Sequence, residues 1–285
     1  MKNLLTVVLL SWIATVTSAQ TWVKVSYDTG SGTPVQQLDA VLRVPAEGSA
    51  NGQALLILHH GGGFSFNTTQ QYGEFFSRHG FVTLELKMFN EHKDEPSPMV
   101  TRGQMMGGLK HLSQIPGVKS VSAMGMSLGA FLTLDASTAW FYEHYQGGGL
   151  QFRKLAALYP VCWFYTEAAK ANATDLRPFA GLPADYFQRS AAIPLLILAA
   201  GKDSYDGLDA DACPRFVKSI PDAKQAEMTE VEIFPDATHG WDHGRTYSFP
   251  VRGGCKGRSN CMNNIVASPA TVDQGKRRLL EFLTK

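Results

Sequence analysis

The chain has 285 residues, of which 44% are hydrophobic and 18% are charged, and its formal net charge is +1. This composition excludes an intrinsically disordered chain, which would need fewer apolar residues and a larger net charge. Lys and Arg are dispersed and form no basic run, so the sequence predicts no nucleic-acid partner. The length suits one large α/β domain, or at most two small ones.

The N-terminus has the pattern of a secretory signal peptide. Met1 to Asn3 carry one positive charge, an apolar stretch runs from Leu4 to about Val16, and the small residues Thr17-Ser18-Ala19 follow. The alternative is a membrane anchor, but the apolar stretch is shorter than the ~20 residues that span a bilayer. We therefore predict cleavage after Ala19, a mature domain over residues 20–285, a secreted or periplasmic location, and no stable membrane anchor after cleavage.

Strand-like and helix-like patterns alternate along the mature chain. Apolar or alternating runs predict strands at residues 22–27, 38–44, 53–59, 81–86, 120–124, 155–159, 195–200 and 230–234. Helical spacing predicts helices over residues 71–79 and 101–115, from Ser127 onward, and over residues 271–283. The alternation predicts an α/β fold with a mostly parallel central sheet and helices on both faces. The longest part without a clear strand, residues 163–190, is a candidate cap or substrate-facing insertion.

A serine lies in a glycine-flanked turn between a predicted strand and a predicted helix. The turn is Gly125-Met126-Ser127-Leu128-Gly129. This strand–turn–helix setting is typical of the nucleophile elbow of α/β hydrolases, in which the glycines let strand and helix approach closely. The alternative is a tight turn in which Ser127 only caps the helix. We predict that Ser127 is a nucleophile.

A serine nucleophile needs a base, and the base needs an acid that orients it. In this fold the acid and the histidine follow the serine in that order, each near a strand end. The strand at residues 195–200 ends at Gly201-Lys202-Asp203, which predicts Asp203 as the acid and Asp206 as the second choice. The strand at 230–234 precedes His239, which we predict as the base in preference to His243.

Three glycines follow the predicted strand at residues 53–59, in the run His59-His60-Gly61-Gly62-Gly63. Such a loop can point N–H groups at an oxyanion, and the residue after the nucleophile, here Leu128, supplies a second donor. Counting from His60 favours Gly62 and Gly63, whereas counting from His59 favours Gly61. A plain glycine turn is the alternative. Adjacent strand histidines point to opposite faces, so this run predicts no metal site.

Four cysteines lie in the predicted mature chain, and export favours disulfide formation. Cys255 and Cys261 bracket a short polar loop and could close it, which would leave Cys162 with Cys213. Four cysteines allow three connectivities, and free thiols are a further alternative. Spacing alone therefore leaves the pairing open.

The segments around these residues resemble the dienelactone hydrolase-related branch of the α/β hydrolases, and the resemblance covers most of the mature chain. The matching segments are Leu-Leu-Ile-Leu-His-His-Gly-Gly-Gly, Phe-Phe-Ser-Arg-His-Gly-Phe-Val-Thr-Leu, Gly-Met-Ser-Leu-Gly-Ala, Ala-Leu-Tyr-Pro-Val-Cys, Ala-Gly-Lys-Asp and Phe-Pro-Asp-Ala-Thr-His-Gly. The resemblance implies Asp203 as the acid and His239 as the base. Relatives with similarly placed cysteines also imply pairing of Cys162 with Cys213.

The chain departs from this family in three places. The founding members use a cysteine nucleophile, so Ser127 argues for a carboxylesterase-like activity rather than strict dienelactone hydrolysis. The segment Lys87-Met88-Phe89-Asn90 lacks the acidic residue that is usual there. The loop between Cys255 and Cys261 has no recognised counterpart.

Together these features predict hydrolysis of a small-molecule ester or lactone through an acyl-enzyme, with no metal or organic cofactor. Trp163, Phe164 and Tyr165 follow a strand end and could line an apolar pocket, although ordinary packing explains them equally well. Two alternatives remain. One is a peptidase or other acyl-transfer enzyme with the same residues, and the other is a non-catalytic secreted binding protein on a hydrolase scaffold.

Overall fold

The computed structural model describes residues 19–30, 32–91, 93, 95–145, 147–170, 182–183, 185–186, 188–256 and 258–285. All but the last residue of the predicted signal peptide therefore lies outside the described residues. The candidate cap at 163–190 is described only in part.

Strands and helices alternate over most of the described chain. The strands are β1 Ala19–Tyr27, β2 Gln36–Val44, β3 Gln53–Leu58, β4 Val82–Leu86, β5 Ser120–Met126, β6 Leu155–Leu158, β7 Leu195–Ala200, β8 Thr229–Phe234, β9 Tyr247–Cys255 and β10 Arg258–Ile265. The helices are α1 Phe66–Arg78, α2 Pro98–Ser113, α3 Leu128–Asp135, α4 Ala139–His144, α5 Cys162–Ala168, α6 Ala212–Ser219, α7 Ala223–Glu227 and α8 Pro269–Thr284. In this part of the chain, no helix is long and apolar enough to cross a bilayer.

Eight of the strands form one sheet in the order β1-β2-β4-β3-β5-β6-β7-β8. The pairings of β2 with β1 and with β4 are antiparallel, and the five pairings from β4 to β8 are parallel. The predicted mostly parallel sheet is confirmed. Because β4 lies on one side of β3 and β5 on the other, the strand order reverses at β3. Open α/β sheets bind ligands outside the carboxyl ends of the strands at such a point.

The two faces of the sheet carry separate hydrophobic cores, as strand geometry requires. Along β3, Leu56 and Leu58 pack into the core that also contains apolar residues of α2 and α3. Leu55 and Ile57 face the other way, into the core that contains residues of α1 and α8. Successive side chains of a strand point to opposite faces, so a strand covered by helices on both faces is apolar throughout. This explains why β3 and β7 are readable from sequence as uninterrupted apolar runs.

A two-stranded hairpin, β9 and β10, was not predicted. It lies outside the main sheet and contains two adjacent glycines and several asparagines, which weaken any strand signal. Its backbone reaches the loop that follows β7, where the N–H of Lys256 donates to the carbonyl of Tyr205 (2.9 Å). The hairpin is therefore hydrogen-bonded to the loop in which the predicted acid lies.

Two disulfides are present, and they join Cys162 to Cys213 and Cys255 to Cys261. The first links the start of α5 to α6, and the second closes the hairpin. These are the pairs that the sequence favoured among its open alternatives.

The two disulfides are expected to differ in their contribution to stability because they close loops of very different length. The sequence separations are 51 and 6 residues. Loop-closure entropy then predicts a loss of about 4 kcal/mol of unfolding free energy for Cys162→Ser/Cys213→Ser and about 2 kcal/mol for Cys255→Ser/Cys261→Ser. Urea unfolding of both double variants measures the two losses. An equal loss, or a greater one for the hairpin pair, contradicts this prediction.

Candidate active site

The turn after β5 holds Ser127 in a strained backbone conformation. Its φ is 51° and its ψ is −106°, a region that non-glycine residues rarely occupy. The two flanking glycines are required by close backbone approach. A Cβ on Gly125 would collide with the carbonyl of Gly129, and a Cβ on Gly129 would collide with that of Leu58. The glycines therefore permit the sharp strand-to-helix turn that the motif predicts.

Three predicted site residues meet at the carboxyl ends of the strands. His239 Nε2 lies 2.8 Å from Ser127 Oγ, and His239 Nδ1 lies 2.8 Å from Asp203 Oδ2. Asp203 and His239 are 1% and 3% exposed, so water competes little for these hydrogen bonds. A proton on Nδ1 donates to the carboxylate and leaves Nε2 free to accept the serine proton. This is the geometry that general-base activation of a serine needs.

The other oxygen of the Asp203 carboxylate is held by the backbone. Oδ1 accepts the N–H of Tyr205 at 2.9 Å, two residues further along the chain. The loop carbonyl of Asp203 also accepts the N–H of Leu208 at 2.8 Å. With both oxygens hydrogen-bonded, the carboxylate has a defined orientation toward His239.

Two tyrosine rings pack against the imidazole of His239. The ring of Tyr159 lies 4.9 Å away and that of Tyr205 4.5 Å away, measured between centroids. Tyr159 has a φ of 39°, and its hydroxyl donates to Asp242 Oδ1 at 2.5 Å. Tyr72 donates to the other oxygen of Asp242 at 2.8 Å. This buried carboxylate thus anchors a ring that restricts the motion of His239.

Tyr159, Tyr205 and Asp242 were not predicted from the sequence as part of the site. The only signals were their positions: Tyr159 directly follows β6, and Asp242 lies three residues after His239. Burial raises the pKa of Asp242, and the hydrogen bonds from Tyr159 and Tyr72 act against that rise.

Asp206, the second candidate for the acid, hydrogen-bonds to the start of a helix. Its carboxylate accepts the N–H groups of Cys162 (3.1 Å) and Trp163 (2.8 Å) at the first turn of α5. Burial, followed by the charge of Asp203, raises the pKa of Asp206 to about 8. The structure therefore brings Asp203 to His239 and places Asp206 at the start of a helix.

The glycine loop after β3 approaches the start of α3. The N–H of Gly62 donates to His60 Nδ1 (2.9 Å), and the N–H of Gly63 donates to the carbonyl of His60 (3.2 Å). Among the described residues, neither Gly61 nor Leu128 has an acceptor for its N–H group. A Cβ on Gly61 would lie 4.0 Å from that of Leu128, so these two residues are neighbours. The geometry favours Gly61 over Gly62 as the partner of Leu128.

The three aromatic residues of α5 are placed differently. Tyr165 is buried, and its hydroxyl donates to Asp135 Oδ1 (2.9 Å) in the core. The same carboxylate forms a buried ion pair with Arg102 (2.6 Å). Trp163 and Phe164 are only partly buried. Packing therefore accounts for Tyr165, and only the other two remain available to line a pocket.

One cluster in the described part of the chain has the spacing of a metal site. Ligand atoms of Cys162, Asp206 and Cys213 lie within 4.8 Å of one another. The two sulfurs are bonded to each other in a disulfide, so neither is a free thiolate ligand. The proximity reflects the disulfide beside the helix start that Asp206 caps.

Burial keeps three histidines near the site neutral. It lowers the pKa of His59 to about 3, of His60 to about 3 and of His243 to about 4. The charge of a neighbouring imidazole adds to burial for His60 and His243. The rings of His60 and His243 stack with centroids 4.2 Å apart.

These lowered pKa values predict that the three histidines weaken the fold in acid, against the opposite effect of the buried carboxyls of Asp206 and Asp242, whose pKa values are raised. The unfolded chain binds these protons near pH 6.5, whereas the folded chain binds them only near pH 3 to 4. The contribution of these neutral histidines to the free energy of unfolding is therefore fully present above pH 6.5 and is lost as the pH falls below it. Each pH unit costs up to about 1.4 kcal/mol for a fully buried histidine such as His59. Urea midpoints of the parent and of His59→Asn at pH 7.5, 5.5 and 4.5 measure the contribution of His59, and an equal pH dependence of the two proteins contradicts the prediction.

Comparison with solved structures relates this architecture to known hydrolases. The chain is similar to an esterase from Pyrococcus furiosus, with 15% identity, a TM-score of 0.58, and 93% of this chain and 92% of that chain covered. For a thermophilic esterase from Thermogutta terrifontis with bound butyrate, the identity is 16%, the TM-score 0.61, and the coverage 87% and 89%. For an acylaminoacyl peptidase from Pyrococcus horikoshii, the identity is 13% and the TM-score is 0.55. The match covers 80% of this chain but only 38% of that longer chain.

No protein-family model matches the sequence, and no curated protein is similar to it. At these identities the structural likeness establishes the fold, and the predicted α/β-hydrolase fold is confirmed.

Proposed function

We propose that this protein is a secreted serine hydrolase that cleaves carboxylic esters or lactones. The observation that carries the proposal is the unbroken hydrogen-bonded chain from Ser127 Oγ through His239 to Asp203, with both distances at 2.8 Å. Strained backbone at the serine and burial of both partners support a catalytic role, because strain persists only where the surroundings impose it.

In the proposed reaction, His239 Nε2 accepts the proton of Ser127 as the serine oxygen attacks the ester carbonyl. The developing oxyanion accepts the N–H groups of Leu128 and Gly61. The protonated imidazole, stabilised by Asp203, then donates its proton to the departing alkoxide, which leaves as the alcohol. Water attacks the acyl-enzyme with His239 again as the base, and the acid is released as Ser127 regains its proton. Every step balances without a further reactant.

Export is supported by two independent features. Residues 1–19 have the pattern of a signal peptide, and all four cysteines are paired in disulfides, which persist in oxidising compartments. The resemblance to the dienelactone hydrolase-related branch supports the same assignment of acid and base. The serine in place of that family's cysteine favours general ester hydrolysis over strict dienelactone hydrolysis.

Ester hydrolysis is preferred to peptide hydrolysis for one reason from the comparisons. The two esterases match over nearly their whole length, whereas the peptidase carries a large part that this chain does not span. A peptidase activity remains the second outcome of the test below.

A fluorophosphonate probe tests the proposal on the unmodified protein. We expect one adduct per chain, located by mass spectrometry on the peptide that contains Ser127, and parallel loss of hydrolysis of p-nitrophenyl acetate. Labelling of a different serine, or of none, refutes the proposal. Cleavage of an N-acetylated peptide substrate without any cleavage of short esters moves the function to a peptidase.

A further inference from the structure

A cavity of about 600 Å³ is lined in part by the glycine loop after β3 and by the loop that carries His239. Its walls include His60, Asn67, Glu91, His243, Arg245 and Tyr247. None of the lining residues that the structure describes has an aliphatic side chain. Small-molecule sites are ordinarily lined mainly by apolar and aromatic side chains, whereas here even the aromatic wall residues His60, His243 and Tyr247 carry polar atoms.

Two wall residues of the cavity belong to the loops that carry the proposed reacting groups. His60 directly precedes Gly61, the proposed oxyanion donor, and His243 belongs to the same loop as His239. The stacked rings of His60 and His243 form a common wall. Because His239 must donate its proton to the leaving oxygen, the alcohol part of an ester lies on the imidazole side. The cavity is therefore positioned for the alcohol rather than the acyl group.

Among the lining residues that the structure describes, one cation and one anion are present. Arg245 is cationic and Glu91 is anionic, while burial keeps both wall histidines neutral. The Arg245 guanidinium lies 4.8 Å from the ring centroid of Tyr247, and the Tyr247 hydroxyl is 2.8 Å from His243 Nδ1. A singly charged ligand would meet a like charge as well as an opposite one. A neutral ligand that both donates and accepts hydrogen bonds suits such walls better.

An alkyl group in this cavity would displace water from these polar side chains without replacing its hydrogen bonds. Each buried polar group left unpaired costs about 1–3 kcal/mol. Hydroxyl groups avoid that cost because each one donates and accepts. A ligand with several hydroxyls is the neutral group that matches this lining.

We propose that the cavity binds the alcohol half of the substrate and that this alcohol is polyhydroxylated, as in a sugar ester. The proposal rests on the proposed esterase function and defines its substrate class. Sites built to hydrogen-bond a substrate hydroxyl discriminate strongly against analogues that lack it.

Matched acetates test the proposal because they form the same acyl-enzyme. We would compare kcat/KM for the 6-O-acetate of methyl glucopyranoside, hexyl acetate and phenyl acetate. Asn67 begins the glycosylation sequon Asn67-Thr68-Thr69, so the protein is produced by export to a bacterial periplasm. We expect the sugar acetate to exceed hexyl acetate at least tenfold. A ratio of one or less overturns the proposal.

The variant Arg245→Met removes the donors and retains much of the side-chain length. We expect it to lower kcat/KM for the sugar acetate at least tenfold and for hexyl acetate by a smaller factor, so that the ratio falls. The control Lys110→Met, in the last turn of α2 and absent from the lining of this cavity, is expected to preserve the ratio.

An equal effect of Arg245→Met on both acetates overturns the inference while leaving the esterase function intact. If phenyl acetate is not hydrolysed and Ser127 takes no fluorophosphonate label, the proposed function itself fails, and the inference fails with it. The two failures are therefore distinguishable.

Discussion

The variant Ser127→Ala is expected to lower kcat for p-nitrophenyl acetate by about 10⁶-fold, which is the loss that follows removal of a serine nucleophile in a triad. Without Oγ, no acyl-enzyme forms, and His239 has no hydroxyl to deprotonate. The Leu128 and Gly61 N–H groups remain, so a small rate above that of water is expected to persist. Initial rates at saturating substrate, with the protein concentration set by absorbance, measure the loss.

A folding control separates this effect from misfolding. Ser127→Ala removes a partly exposed hydroxyl from a position with a φ of 51°, so the urea midpoint is expected to stay close to that of the parent. The companion variant Ser127→Cys keeps a nucleophile at the same site, and its acyl-enzyme should still be detectable as a burst of p-nitrophenol. Parent-like activity in Ser127→Ala would show that another group performs the reaction.

The variant Asp203→Asn is expected to lower kcat by about 10⁴-fold, as happens when a triad aspartate becomes an amide. The amide cannot stabilise the imidazolium, and its NH₂ group favours the imidazole tautomer in which Nδ1 accepts. In that tautomer His239 Nε2 already carries a proton, so Nε2 cannot accept the proton of Ser127. The loss should appear in kcat, measured with the acetate used for Ser127→Ala.

Asp206→Asn is the matched control, since it makes the same chemical change three residues away. Its two carboxylate oxygens accept the N–H groups of Cys162 and Trp163, and the amide oxygen of Asn can still accept one of them. We expect a less than tenfold change in kcat and a modest shift in the urea midpoint. A greater loss for Asp206→Asn than for Asp203→Asn would reverse the assignment of the acid.

Much of the proposed catalytic arrangement was predictable because it depends on chain order and strand ends. Ser127 lies in a tight turn that requires its two flanking glycines, and the turn and both glycines fall within five consecutive residues. In a parallel sheet, the carboxyl ends of neighbouring strands meet at one edge. Candidates that follow β7 and β8 are therefore brought to the same edge as Ser127, whatever the loops between them do.

Other features depend on contacts between residues that are far apart in the sequence. The hairpin of β9 and β10 has weak strand propensity, and its position depends on a backbone hydrogen bond to the loop after β7. Tyr159 reaches the site through the hydroxyl contact with Asp242, 83 residues away. Such partners leave no local pattern, because their spacing in sequence has no relation to their spacing in the fold.

The sequence by itself determined the fold class and the strand and helix alternation, and it limited the proposed catalytic residues to a few candidates near the strand ends, since local periodicity and glycine-dependent turns encode them. The tertiary structure alone decided between candidate residues that are close together in the sequence. It directed Asp203 rather than Asp206 toward His239, and it engaged the N–H of Gly62 with His60 while leaving Gly61 beside Leu128. Residues one to three positions apart differ only in where their loop points them, and that direction is set by distant hydrogen-bond partners.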